Sequence, residues 1–487
     1  MTLPPLTEDA AFALNRRRFL GSSAGLSLGL PAVASLLGAG TAGAAETGAG
    51  SLPHFAPSAK RVIYLLQSGG PSHVDLFDDK PTLRKRRGEE MPESVLGGLR
   101  QTTMTAGQKS KPCLPAAWGG SRRGESGMWV SDLLPHTAAI ADDLCFVRSL
   151  HGEQINHAPA VAHVLTGHNL PGRPSIGAWL TYGLGSAAED LPAFVVMTSK
   201  DRENTCGQLF YDYYWGSGFL PGKYQGVPFR GAGDPVLYLS NPAGVTRSDR
   251  RAMLDRLGEL NALAHDRYHD PETLTRVSQY EMAFKMQASV PDLVDFSDEP
   301  QHVLDLYGPD VSRKGSYAYN CLMARRLAER GTRYIQLMHA GWDQHGNLPT
   351  QLPIQCRDTD RPSAGLVTDL KNRGLLEDTL VIWGGEFGRT PFVQGDIANK
   401  TAHGRDHHPR AFTMWLAGGG VKPGCVYGRS DEFAFHVAED PVHVRDLQAT
   451  LLHLCGIDHA RFTYRHQGLD FKLTGVEEAR VVDGILA

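Results

Sequence analysis

Six runs of apolar, largely β-branched or aromatic residues recur along the chain, and each stops at glycine or at a polar cluster. They are RVIYLLQSGG (61–70), LCFVRSL (144–150), AFVVMTS (193–199), RYIQLMHAGWDQHGN (333–347), TLVIWGGEFGRTP (379–391) and AFTMWLAGGG (411–420). Near-continuous apolar runs of this length predict strands covered on both faces. Between them lie segments with helical spacing: SIGAWLTYGLG, RSDRRAMLDRLGELNALAHDRY, TLTRVSQYEMAFKM, YNCLMARRLAERG and PVHVRDLQATLLHLCGI, the last stopped by Gly456. NHAPAVAHVLTG (156–167) predicts one more helix, with Asn156 as N-cap, His157 in its first turn and His163 further along. Strands alternating with helices predict an α/β fold with a mostly parallel sheet. Ligands of such sheets gather beyond the C-terminal strand ends.

The first 44 residues stand apart from this pattern. Arg16-Arg17-Arg18-Phe19-Leu20 opens a mildly apolar run, which Pro31 interrupts and Ala42-Gly43-Ala44 closes as an A-x-A cleavage pattern. This predicts a twin-arginine signal peptide over 1–44, a passage through the twin-arginine translocase, and a periplasmic or secreted mature chain. That route carries folded proteins, so a metal could be loaded before export. Residues 45–487 are expected to form a single domain. Residues 78–130, rich in Lys, Arg, Gly and Ser, are expected to be an insertion or lid, and 200–300 a helical excursion. No later run is apolar enough to span a bilayer, so no stable membrane anchor is expected. A formal charge of −4 argues against nucleic acid as a partner. The seven cysteines form no C-x-x-C pair; most are expected to be buried thiols, with one or two disulfides open.

The chain holds 20 histidines, and their placement matters more than their number. HAGWDQHGN carries His339, Asp343 and His345; GGEFGRTP carries Glu386 and Arg389; HGRDHHP carries His403, Arg405, Asp406, His407 and His408. Carboxylate oxygens mixed with imidazole nitrogens suit a divalent metal, with Zn²⁺ or Mn²⁺ ahead of Ca²⁺ or Mg²⁺. Asp343, His345, Glu386 and His407 or His408 are the candidate ligands. A single histidine at a strand end is more often a hydrogen-bonded loop residue; three clusters at three strand ends shift the balance. The first strand's loop, QSGGPSHVDLFD, adds Ser68, Ser72, His73, Asp75 and Asp78. It is equally readable as a turn whose Ser and Asp cap the backbone. It is neither a P-loop nor a dinucleotide fingerprint, and the chain has no G-x-S-x-G elbow. A serine hydrolase centred on Ser68 or Ser72 is therefore a minor reading.

Together SGGPSHVDLFDDKP, NHAP…TG, GWDQHGN, GGEFGRTP, GRDHHP, AGGGVKPGCVYG and DLQATLLHLCGIDH resemble an exported, sulfatase-like bacterial family. That family is filed as a domain of unknown function, number 1501, within the alkaline phosphatase superfamily. The resemblance runs from about Arg61 to the C-terminus. It implies a three-layer α/β/α sandwich, alkaline phosphatase-like, with metals at the C-terminal edge of the sheet. It also implies hydrolysis of phosphate or sulfate esters. Sulfatases of the superfamily carry C-x-P-S-R with T-G seven residues after the Pro. Here Pro159 precedes Thr166-Gly167 at that interval, so the nucleophile position is His157. Val161 stands where the Arg would be, and no formylglycine can form. Asp343 with His345 resembles the superfamily's Asp/His ligand pair, and His407 its late His ligand. Gly385-Glu386-Phe387-Gly388 resembles S-D-H-G, with Phe387 in place of the His; Gln67-Ser68 stands near the missing first-strand Asp.

These departures leave His157 as a metal ligand, a general acid/base or a nucleophile. Arg389 or Arg405 is expected to hold the anionic group of the substrate. The leading expectation is a metal-dependent hydrolase of an anionic ester, with polysaccharide as one possible carrier. The alternative is a catalytically degenerate relative that binds glycan or protein partners.

Overall fold

The computed structural model describes residues 52–98, 102, 104–200, 210–231, 233–236, 239–399 and 401–487. Residues 1–44, expected to be a signal peptide, and Cys206 lie outside the described residues. Among the described residues, nine strands form one sheet: β1 (Arg61–Ser68), β2 (Cys145–His151), β3 (Phe194–Lys200), β4 (Val227–Phe229), β5 (Tyr334–Ala340), β6 (Thr379–Gly384), β7 (Phe412–Ala417), β8 (Cys425–Tyr427) and β9 (Val442–His443). Their order is β8-β2-β7-β6-β1-β5-β3-β4, with β9 also paired to β2. All neighbours are parallel except those of β7, which runs against both β2 and β6. The six predicted strands are β1, β2, β3, β5, β6 and β7.

Successive residues of a strand point to opposite faces, so a strand apolar throughout needs cover on both sides. In β1, Ile63 and Leu65 join one buried cluster, while Val62, Tyr64 and Leu66 join the other. β5 divides in the same way, with Ile335 and Leu337 on the first face and Tyr334 and Met338 on the second. Helices α1 (His157–Thr166), α2 (Ile176–Leu184) and α7 (Val444–Leu454) cover the second face. Helices α4 (Pro271–Val294), α5 (Tyr317–Glu329) and α6 (Leu348–Asn372) cover the first. The result is the expected α/β/α sandwich around a mostly parallel sheet. Helix α3 (Arg247–Tyr268) packs mainly on α4, so two helices occupy the later part of 200–300.

The helix signals behave as the chemistry suggests. Ser175 and Ser316 cap α2 and α5 through their hydroxyls, and Thr246 forms a capping box with Asp249 at α3. Asn156 stands at the N-cap of α1 with extended backbone, but its side chain makes no capping bond; Gly167 ends the helix in the left-handed region (φ 70°). The longest helix, α6, has no counterpart in the sequence reading, because Pro353 and Pro362 interrupt its pattern. Its buried stripe of Leu348, Leu352, Cys356, Leu366, Val367 and Leu370 holds it helical despite both prolines. Within 78–130, Gly120–Arg123 and Met128–Ser131 form a hairpin. Among the described residues, no helix is long and apolar enough to cross a membrane. The six described cysteines are all free thiols.

Candidate metal centre

Strands β1, β5 and β6 lie side by side and parallel, and each ends at a glycine: Gly69, Gly341 and Gly384. Their loops are therefore forced together at one edge. Gly69 adopts φ +116°, and a Cβ there would lie 2.6 Å from Asp343 N, so these two turns touch backbone to backbone. The β5 loop delivers Asp343 and His345, and the β6 loop delivers Glu386. The chain leaving β2 enters α1 at His157. Because β7 alone is reversed, its incoming end lies at this same edge, and residues just before it reach the site. His407 and His408 there pair antiparallel with Gly388–Arg389.

His157, Asp343, His345 and His407 converge, each offering one ligand atom, and these four atoms all lie within 4.8 Å of one another. Asp343 Oδ1 is 3.0 Å from His345 Nε2, 3.1 Å from His157 Nε2 and 3.4 Å from His407 Nε2. His345 Nε2 and His407 Nε2 are 2.9 Å apart. The outward nitrogens of all three rings face acceptors. His407 Nδ1 donates to Ile155 O, His345 Nδ1 to Gln394 Oε1 and His157 Nδ1 to Glu386 Oε1, each at 2.6 Å. A neutral imidazole carries one N–H, and here it is on Nδ1 in each ring. Three Nε2 lone pairs then point at one another and at a carboxylate. That is repulsive unless a cation sits among them. His157 Nε2 is buried without a hydrogen-bond partner, its contact to Asp343 lying off the hydrogen-bond direction. The donor set fits a divalent metal held by three histidines and one aspartate.

The electrostatics agree. Burial alone would raise the Asp343 pKa, but Arg389 and the three histidines overcome it and hold the carboxylate far below its usual range. Burial would lower His157, yet Asp343 and Glu386 outweigh it and raise the pKa, so the site draws positive charge. Burial dominates at His407 and lowers it to about 4, keeping the ring neutral.

The remaining sequence candidates occupy other places. Glu386 lies outside the four-atom group; it orients His157 and accepts Gly69 N at 3.0 and 3.2 Å. Arg389, expected to hold substrate, is 1% exposed and turned inward. It binds Asp343 Oδ1 at 2.7 Å and the carbonyls of Gly69, Gly70, Trp342 and Arg405. Arg405, fully buried, grips Asp75 through two nitrogens (2.7 and 3.0 Å) and the carbonyls of Leu114, Thr390 and Pro115. Asp406 accepts from Thr102, Thr105 and His407 N. His408 Nε2 donates to Phe435 O and His73 Nε2 to Ala434 O. Ser68 is a buried end residue of β1. Ser72 caps a short helix and donates to Asp75 at 2.5 Å, the turn chemistry the loop also suggested. His339 sits within β5 between Ser199 and Gln355, and His403 contacts Asn399 O. Gln394 and the Ile155 carbonyl, which set two of the ring tautomers, carried no sequence signal; backbone carbonyls and lone amides are everywhere in a chain.

Phe387 lies against both His157 and His407, with ring centroids 5.0 and 4.7 Å away. Residues 59–486 match a family model described as "Protein of unknown function (DUF1501)". Comparison with curated proteins finds no match. Similar solved structures include the PsFucS1 sulfatase from Pseudoalteromonas sp., at 12% identity, 82% of this chain and 68% of that one, with a TM-score of 0.32. The lipoteichoic acid synthase LtaP from Listeria monocytogenes matches at 10% identity over 87% and 76%, TM-score 0.33. The alkaline phosphatase from the Antarctic bacterium TAB5 matches at 10% identity over 78% and 96%, TM-score 0.30.

Proposed function

The chain belongs to the DUF1501 family, and from that premise and the geometry of its site we propose that it is a metal-dependent hydrolase of phosphate or sulfate esters. The observation that carries the metal is the meeting of His345 Nε2 and His407 Nε2 at 2.9 Å, with both Nδ1 atoms already bonded to acceptors. Zn²⁺ or Mn²⁺ suits this nitrogen-rich set better than Ca²⁺ or Mg²⁺. When bound, the metal supplies Lewis acidity toward water and toward an ester oxygen. Asp343 is the one anionic ligand, and Arg389 fixes its orientation. Glu386 holds His157 in the tautomer that presents Nε2. No hydroxyl or thiol belongs to the four-residue group, so direct attack by water is the route these residues favour. A divalent ion together with Asp343, Glu386 and Arg389 carries a net positive charge, which suits an anionic ester. With both candidate arginines turned inward, that charge takes over the anion-holding role. The ester class rests on the motif resemblance, above all the Pro159 to Thr166-Gly167 interval that puts His157 at the nucleophile position.

We place the mature chain, residues 45–487, in the periplasm or outside the cell, exported folded by the twin-arginine route. Arg16-Arg17 and Ala42-Gly43-Ala44 support this. A second reading is a degenerate relative that binds glycan or protein. Phe387 favours it, because a phenyl ring lies where a further ligand would have to be.

Metal analysis of the purified protein with a panel of phosphomonoesters, phosphodiesters and sulfate esters tests both. Turnover that is lost in Asp343→Asn and His345→Ala is expected. Metal binding without turnover on any ester would favour the second reading. If no divalent metal binds and both variants behave like the wild type, the centre is not functional.

A further inference from the structure

The sheet carries a second chemically distinctive pair, separate from the residues that converge at the metal centre. Strand β8 forms one edge of the nine-stranded sheet, and its register against β2 sets Cys425 opposite Cys145. Facing residues of neighbouring strands project to the same side, and parallel strands lie roughly 4.8 Å apart. That spacing falls inside the range of Cα separations that a disulfide bridges. Each thiol is the largest influence on the other's pKa, and both pack on the same buried cluster. They differ in access: Cys145 is fully buried, whereas Cys425 is half-buried at the edge strand.

We infer that Cys145 and Cys425 form a redox-active pair that closes to a disulfide when the protein meets a disulfide oxidant such as oxidised glutathione. The asymmetry assigns the roles. Cys425 is the attacking sulfur, since it is reachable from solvent. Its neighbour Cys145 first, and Lys422 as well, hold its pKa down to about 7, against the effect of burial, so thiolate is available near neutral pH. Cys425 thiolate attacks one sulfur of the oxidant; the oxidant's S–S bond breaks, and one thiol leaves with a proton. Cys145 then gives up its proton and attacks the Cys425 sulfur of the mixed disulfide, releasing the second thiol. Two protein thiols are oxidised and one oxidant disulfide is reduced to two thiols. The bond would staple the edge strand, and the C-terminal chain that follows it, to the sheet interior. This pair does not depend on the hydrolase reading.

The test is thiol mapping of the full chain after exposure to oxidised glutathione, alkylation, unfolding and peptide mass spectrometry. The expected result is a linked peptide pair containing Cys145 and Cys425, with two of the seven cysteines protected. Cys145→Ser should accumulate glutathione on Cys425, while Cys425→Ser should leave Cys145 as a free thiol. Full alkylation of both cysteines in the oxidised wild type, or a link from Cys425 to a third cysteine, would overturn the inference.

Discussion

Replacing Glu386 with glutamine separates a metal ligand from a residue that positions one. Glu386 makes its contacts with His157 Nδ1 (2.6 Å) and Gly69 N (3.0 and 3.2 Å), and it is not among the four converging atoms. Glutamine keeps the shape but turns one acceptor oxygen into a donor. Whichever way the amide is turned, it sets an NH₂ against His157 N–H or against Gly69 N–H. The ring loses its charge-assisted hold, and its basicity falls. Loss of such an outer partner weakens metal affinity about 10–100-fold, equivalent to about 1.4–2.7 kcal/mol. Removing a ligand outright, as in His345→Ala, should cost more. Isothermal titration of metal-stripped protein with Zn²⁺ measures both, with circular dichroism confirming that each variant is folded. The ordering expected is wild type, then Glu386→Gln, then His345→Ala. If Glu386→Gln binds as tightly as the wild type, or as weakly as His345→Ala, the positioning argument is wrong.

Gly69→Ala should damage the centre without altering a ligand side chain: its Cβ would press on the backbone of the ligand Asp343 (N at 2.6 Å) and on Trp342 C at 2.8 Å, at a φ that alanine tolerates poorly. Weaker Zn²⁺ binding and a lowered thermal midpoint are expected, and an unchanged titration would count against the close approach of these turns. Acid should destabilise the protein partly through His163, in the body of α1. Burial lowers its pKa from 6.5 to about 4, against partial opposition from Glu153. The unfolded chain then takes up the proton first, so this contribution is complete above pH 6.5 and is lost as pH falls towards 4. It amounts to about 3 kcal/mol at most. Urea unfolding of His163→Gln should show a shallower loss of stability across that window than the wild type, and identical slopes would remove His163 as a cause.

The six apolar runs marked six of the sheet's nine described strands in advance, because a strand covered on both faces must be apolar along its whole length, whereas the short edge strands β4, β8 and β9 carried no such run. The glycines that end β1, β5 and β6 also marked the edge where chemistry collects. Asp343, His345 and His407 were legible for the same reason: strand ends of a parallel sheet converge, so polar clusters at several of them share one site. The sequence did not reveal α6, since two prolines hide a helix whose stability comes from its buried stripe. Nor could it rank the residues within the site. Glu386 follows a strand end and His157 opens a helix, and only three-dimensional contact shows that one orients and the other converges. Arg389 and Arg405 read alike as anion holders until their guanidinium groups are seen enclosed by carbonyls and carboxylates. Tertiary structure decided these points because a side chain's role depends on the direction of its donors and lone pairs, and that direction is set by packing between segments hundreds of residues apart. The reversal of β7, which carries His407 to the edge reached by Asp343, is such a decision.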